Sequence, residues 1–185
     1  MQNLHELSKI LASDVELAVQ KVNEASSDEM QFYSRTYLRA YASWIEGSLF
    51  MHKKLIAKTE RNWYLELPAA SQLYLLEVDW KIANSGEPRE FSKKIRTQQN
   101  LKAFFFVSQQ IFAGYKTDFE NHGWGCVKEF YKLRDSMMHP SDSTSFNPSV
   151  DQINSCDDGR QWLLGEFRRV RDCMLDKNAD KDKYW

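Results

Sequence analysis

An arginine and a histidine near the carboxyl end of one predicted helix are the residues best suited to chemistry in this chain. Arg134 precedes His139 by five positions, and Pro140 follows the histidine directly. At about 100° per residue, Arg134 falls near the middle of the apolar side of that helix. Because arginine keeps its charge inside a protein, the guanidinium requires a carboxylate, a cleft or an anionic ligand.

The inward placement of Arg134 has two interpretations. In the first, Arg134 is a core residue paired with a carboxylate of another helix, and such ion pairs outnumber active sites that look like them. In the second, the guanidinium of Arg134 lies in a cleft or binds an anionic ligand. Both interpretations stay open on spacing alone.

Two acidic residues could assist this pair. Glu46 has no basic residue three or four positions away, so its expected partner is a tertiary one, with Arg134 the first choice. The alternative is a surface glutamate near Arg39 and Lys53. Asp135 could orient His139 or position a water molecule, and the alternative is a solvated acid on the helix surface.

The composition predicts an all-α protein with one hydrophobic core. A chain of 185 residues with 42% hydrophobic content can bury a proper core, and nothing in it marks a second domain. Glycine and proline are few, with 7 and 4 residues, and alternating strand patterns are almost absent. We therefore expect a single-domain helical bundle of five or six helices over residues 1–185.

Apolar periodicity places these helices along the chain. The predicted spans are about 4–26, 34–56, 68–82, 101–112, 123–139 and 160–175. The segment 84–88 is predicted as a loop, and the polar stretch from Ser141 to Asp158 as a long loop of functional or mobile character. The helix over 123–139 is expected to end at His139, because a following proline disfavours helical backbone.

Charge and cysteine content exclude several classes of function. The net charge of −1 argues against holding nucleic acid by bulk electrostatics, so any RNA contact must be local. No membrane span and no secretion signal are evident, and we expect a cytoplasmic protein. Three widely spaced cysteines predict reduced thiols rather than metal ligands or disulfides, and His52 and His122 are expected to be ordinary surface histidines. Neither a cofactor nor a metal is predicted.

The helix end from Arg134 through Asp135 to His139 resembles the motif of the HEPN superfamily, an arginine followed after four to six residues by a histidine. The run 35–47 is similar to the long helix of uncharacterised HEPN proteins. This resemblance implies a HEPN-like homodimer that acts as a metal-independent endoribonuclease, with two motifs facing a shared cleft. The resemblance would make Arg134 the group that holds the phosphate and His139 the group that moves a proton, with Asp135 in the polar position of the motif. Glu46 joins this catalytic set as the expected partner of Arg134, and attack by a ribose 2′-OH would leave a cyclic phosphate.

The sequence also departs from part of that family. HEPN toxins controlled by a nucleotidyltransferase antitoxin carry a tyrosine two residues after the motif histidine, whereas this chain has Ser141. Adenylylation at that position is therefore not expected, although an antitoxin or another protein partner stays open. The rival hypothesis is a non-catalytic helical module for dimerisation or RNA binding, in which Arg134 and His139 only hold the core together.

Overall fold

The computed structural model describes residues 2–58, 67–92, 95–138 and 147–179. Within these ranges the chain forms six helices and two strands, in the order α1 (Gln2–Glu24), α2 (Ser27–Lys58), α3 (Ala69–Leu76), β1 (Val78–Ile82), β2 (Pro88–Ser92), α4 (Thr97–Ile111), α5 (His122–Met138) and α6 (Val150–Ala179). The predicted all-α fold of five or six helices is confirmed.

Ser26 and Glu29 mark the break between α1 and α2. The Ser26 hydroxyl donates to the Glu29 carboxylate at 2.7 Å, and the Ser26 amide approaches the same carboxylate at 3.4 Å. The Glu29 side chain thus supplies one half of a capping box, by accepting the backbone amide of the residue that precedes the helix. The second helix therefore begins at Ser27, and the prediction of a start near Ser34 was wrong.

The third predicted helix ends early, at Leu76. Glu77 has a left-handed backbone with φ 59°, and its amide donates to the carbonyls of Leu73 and Tyr74. The chain then leaves the helix as β1, which pairs antiparallel with β2 from Val78 opposite Ser92 to Ile82 opposite Pro88. The prediction of helix over 77–82 was wrong, because pairing with β2 replaces the helical hydrogen bonds there.

The last helix begins much earlier than the apolar pattern suggested. Ser149 caps α6: its hydroxyl accepts the Gln152 amide at 3.2 Å, and its own amide donates to the Gln152 side chain at 2.8 Å. The predicted loop over 141–158 is thus wrong from Val150 onward, and residues 141–146 lie outside the described residues. The first turns of α6 are rich in polar residues, so the apolar period that predicts a helix is weak there.

The chain forms two compact units. One contains Met1–Ser48 and Asp118–Arg168, and the other contains Leu49–Thr117 and Arg169–Trp185. Helices α2 and α6 contribute residues to both units. The single domain expected over 1–185 stays a prediction.

The first unit is built around an aromatic core. The Tyr41 and Phe130 rings, from α2 and α5, have centroids 4.2 Å apart, and Trp44 meets Phe167 of α6 edge to face at 6.0 Å. All four side chains are buried. Aromatic pairs of this geometry add to the free energy of burial, so they fix α5 against α2 at the level where Arg134 emerges.

The second unit contains a buried lysine. Lys53 is 1% exposed, and its ammonium lies 3.1 Å from the Glu77 carboxylate, 2.6 Å from the Asn100 side-chain oxygen and 3.9 Å from the centre of the Tyr74 ring. The alternative that set Lys53 near a surface Glu46 is therefore wrong for Lys53. Burial lowers the pKa of Lys53 below its ordinary value, although Glu77 opposes that shift.

Candidate functional site

Arg134 lies at the margin of the core rather than at its centre. On α5, Val127, Phe130 and Tyr131 are buried, whereas the Arg134 side chain is 29% exposed and Met138 is exposed. The guanidinium carbon lies 5.6 Å from the centre of the Tyr131 ring. Arg134 lies on the side of α5 that carries Phe130 and Tyr131, and the last turn of α5 is more exposed than the turns before it.

Two carboxylates flank the Arg134 guanidinium. Asp135 approaches Nη2 at 3.2 Å, and Glu46 of α2 approaches Nη1 at 3.8 Å. Both acidic side chains are mostly exposed. Glu46 is thus the tertiary neighbour that the sequence predicted for Arg134. Its distance is that of a loose ion pair, since a hydrogen bond between nitrogen and oxygen is about 2.7–3.2 Å long.

The fourth predicted residue lies outside the described part of the chain. The structure follows α5 to Met138, and His139 and Pro140 belong to the segment beyond it. Three of the four predicted residues, Arg134, Asp135 and Glu46, are therefore brought together. The position of His139 relative to Arg134 stays a prediction.

A groove runs between α5 and α6 on another face of α5. Its volume is about 450 Å³, and its lining comprises Glu129, Lys132, Leu133, Ser136, Asp151, Gln152, Ser155 and Cys156. Leu133 points to the groove, and Arg134, one residue on and about 100° around the helix, faces α2 instead. The groove and the Arg134 cluster are therefore separate features.

A partly buried polar network connects α2 to α6 in the same unit. The Arg160 Nε donates to the Asp157 carboxylate at 2.7 Å, and the Tyr37 hydroxyl donates to the same oxygen at 3.5 Å. Burial, with Asp157 adding to it, raises the pKa of Tyr37 well above its ordinary value. Tyr37 therefore acts as a neutral hydrogen-bond donor, and the network has the character of a structural link.

The three cysteines are not paired in disulfides. All three are free, and Cys126 and Cys156 are buried. Burial raises the pKa of Cys156 to about 12, with Cys126 adding to the shift. Such a thiol stays protonated near neutral pH and is a weak nucleophile.

Cys126 also belongs to a cluster that the sequence analysis missed. The ligating atoms of His122, Cys126 and Asp158 all lie within 4.8 Å of one another. The signal was present as a histidine and a cysteine four residues apart, which places both side chains on one face of a helix. The third member, Asp158, lies in the segment that was predicted as a loop, so the apolar pattern did not place it beside the other two.

Comparisons of the chain with protein-family models, with curated proteins and with solved structures gave no match. Across the described residues, every helix is too short or too polar to cross a membrane. The function must therefore be argued from the residues and their geometry.

Proposed function

We propose that the chain is a HEPN-type endoribonuclease that cleaves RNA without using a metal in the reaction. The observation that carries this proposal is the setting of Arg134. Its guanidinium is partly exposed between two carboxylates near the end of α5, five residues before His139. A permanently charged planar fork that solvent can reach is suited to hold a phosphate.

The proposed reaction is an internal transfer of the phosphoryl group. A base removes the proton from the ribose 2′-OH, the 2′ oxygen bonds to the adjacent phosphorus, and the bond from phosphorus to the 5′ oxygen breaks. The leaving 5′ oxygen takes a proton, so the products are a 2′,3′-cyclic phosphate and a free 5′-OH. Arg134 would stabilise the charge on the phosphate oxygens, and His139 would transfer a proton.

Glu46 and Asp135 are proposed to position the guanidinium until RNA binds. A phosphate reaching Nη1 would replace the loose contact with Glu46. Exposed ion pairs contribute about 0–1 kcal/mol, whereas a hydrogen bond to a charged group contributes about 1.5–3 kcal/mol. The exchange is therefore favourable in energy, and Asp135 would continue to orient the fork from its own side.

Self-association in the cytoplasm is part of the same proposal. The first unit exposes the large apolar side chains of Ile10, Leu17 and Phe32. Ile10 and Leu17 are seven residues apart on α1, so they share one face of that helix. Exposed apolar groups of this kind support a homodimer, which the shared cleft requires.

A second candidate function is a non-catalytic scaffold for dimerisation or RNA binding. It is supported by the contact from Arg134 on α5 to Glu46 on α2. An arginine that only stabilises the packing of two helices would also lie beside a carboxylate of the second helix. In that case the arginine would contribute to stability and RNA would remain intact.

RNA cleavage separates the two functions. The wild-type chain is incubated with single-stranded RNA in the presence of a chelator, and the product ends are identified. We expect cyclic phosphates, and we expect His139→Ala to abolish them. Arg134→Lys keeps the charge but loses the fork, so it should lose cleavage too, while Arg168→Lys, at an exposed arginine of α6, should not.

The fold of each variant is checked by circular dichroism in the same buffer. Cleavage that persists in His139→Ala would identify a contaminating nuclease. Intact RNA with a folded wild-type dimer would contradict catalysis and leave the scaffold function.

A further inference from the structure

Two glycines allow α5 and α6 to approach closely at the amino end of α5. A Cβ atom at Gly159 would lie 2.9 Å from the Val127 amide nitrogen and 3.0 Å from the Cys126 carbonyl carbon. A Cβ atom at Gly123 would overlap the Trp162 side chain. The backbone of α6 therefore rests directly on α5, and Asp158, the residue before Gly159, is brought to Cys126.

The start of α5 fixes the other two members of the cluster. Asn121 caps the helix, since its side-chain oxygen accepts the Gly123 amide at 2.9 Å. His122 is the first helical residue, and Cys126 follows one turn later on the same face. The His122 Nε2 and the Cys126 Sγ lie 3.3 Å apart.

This spacing suits a tetrahedral zinc ion. With Zn–S near 2.3 Å and Zn–N near 2.0 Å, tetrahedral angles put the sulfur and nitrogen about 3.5 Å apart. The Asp158 oxygen lies within 4.8 Å of both atoms. His122 and Asp158 are exposed and can adjust their rotamers, whereas the Cys126 sulfur is held in the buried wall of the site.

We propose that His122, Cys126 and Asp158 bind Zn²⁺, with a water molecule in the fourth position. Imidazole, thiolate and carboxylate are all zinc ligands, and a thiolate with a carboxylate balances the charge of the ion. The exposed side of the cluster leaves room for the water. The ion would join the first turns of α5 to the middle of α6.

The zinc site is independent of the proposed RNA chemistry. Cys126 and Arg134 are eight residues apart on α5, which is about 12 Å along the helix. The ion would thus stabilise the helix pair without contacting the Arg134 cluster. The alternative for this geometry is a hydrogen bond between the thiol and the imidazole, with no affinity for metal.

Cobalt provides a direct test, because a thiolate ligand gives Co²⁺ an intense near-ultraviolet charge-transfer band. The full-length chain is freed of metal, titrated with Co²⁺ under reducing conditions, and then with Zn²⁺ to displace it. We expect one equivalent to produce the band. Cys126→Ser should remove it, whereas Cys173→Ser, at a cysteine outside the cluster, should retain it.

His122 and Asp158 are exposed, so substitutions at these two ligands should not disturb the packing of the core. His122→Asn and Asp158→Asn should each weaken Zn²⁺ binding more than about 100-fold, beyond the loss typical of residues that merely support a ligand. Asp151→Asn, at an exposed aspartate on the same helix, should bind as the wild type does. Absence of the band, its persistence in Cys126→Ser, or wild-type affinity in both asparagine variants would overturn the proposal.

Discussion

The contact between α5 and α6 can be tested by adding one methyl group at each of two glycines of α6. Gly159 and Gly165 lie in the same helix, but a Cβ atom at Gly165 would meet nothing within 4 Å. At Gly159 the added carbon would lie 2.9 Å from backbone nitrogen of Val127, which cannot rotate away as a side chain can. The two substitutions therefore differ in packing and share the same change in helix propensity.

The change in helix propensity is the same in both variants, so it cancels when their free energies of unfolding are compared with each other. Replacing a helical glycine by alanine stabilises a helix by about 1 kcal/mol, so Gly165→Ala should raise the free energy of unfolding by about that amount. Forcing a methyl into a packed contact costs about 1–3 kcal/mol, so Gly159→Ala should fall below Gly165→Ala by about 1–3 kcal/mol. At about 2–4 °C per kcal/mol, the melting temperatures should differ by about 2–12 °C.

Urea unfolding of both variants, in a buffer containing a chelator, measures this difference without a contribution from metal. The midpoints should separate while the dependence on urea stays the same, which shows that the stability of the folded state has changed. Equal midpoints, or a more stable Gly159→Ala, would refute the close approach of α6 to α5. The placement of Asp158 beside Cys126 would then lose its support.

Three further predictions concern other contacts. Burial lowers the pKa of Lys53, so between that lowered value and 10.5 the unfolded chain binds one more proton than the folded chain does. The free energy of unfolding of the wild type should therefore rise with pH through this window. Urea unfolding of Lys53→Met should show a flatter dependence on pH. A double-mutant cycle of Arg134→Ala and Glu46→Ala should give a coupling energy of about 0–1 kcal/mol, and a much larger value would favour the scaffold function. The buried Tyr41 hydroxyl has no hydrogen-bond partner among the described residues, so Tyr41→Phe should leave thermal stability unchanged or raise it, and a clear loss would reveal a partner.

The sequence was informative where a residue's role follows from its own helix. The 3.6-residue period correctly placed Val127, Phe130 and Tyr131 in the core, and the lack of a local base next to Glu46 pointed to Arg134. The start of α6 is also visible in the sequence, because Ser149 and Gln152 have the spacing of a capping box, although the residues that follow are mostly polar.

Other features depend on tertiary contacts between residues that are far apart in the sequence. Gly159 is visible in the sequence, but its contact with the α5 backbone is tertiary. The burial of Lys53 depends on Asn100 and on Glu77, whose left-handed backbone no pattern of apolar residues predicts. Strand β1 alternates apolar and polar residues from Val78 to Ile82. Strand β2 has no such pattern, so the hairpin after Glu77 depends on the pairing of the two strands.

The β1–β2 hairpin makes one position of this chain convenient for engineering. Its tip closes with the Gly86 amide donating to the Ala83 carbonyl at 2.8 Å, and Gly86 has φ 84°, which an L-residue rarely adopts. Residues 84–91, which form the turn and most of the second strand, are exposed. Loop tips of this kind carry insertions and labels at little cost to folding. A spin label or affinity peptide at Ser85 therefore changes no residue of the Arg134 cluster or of the proposed zinc site.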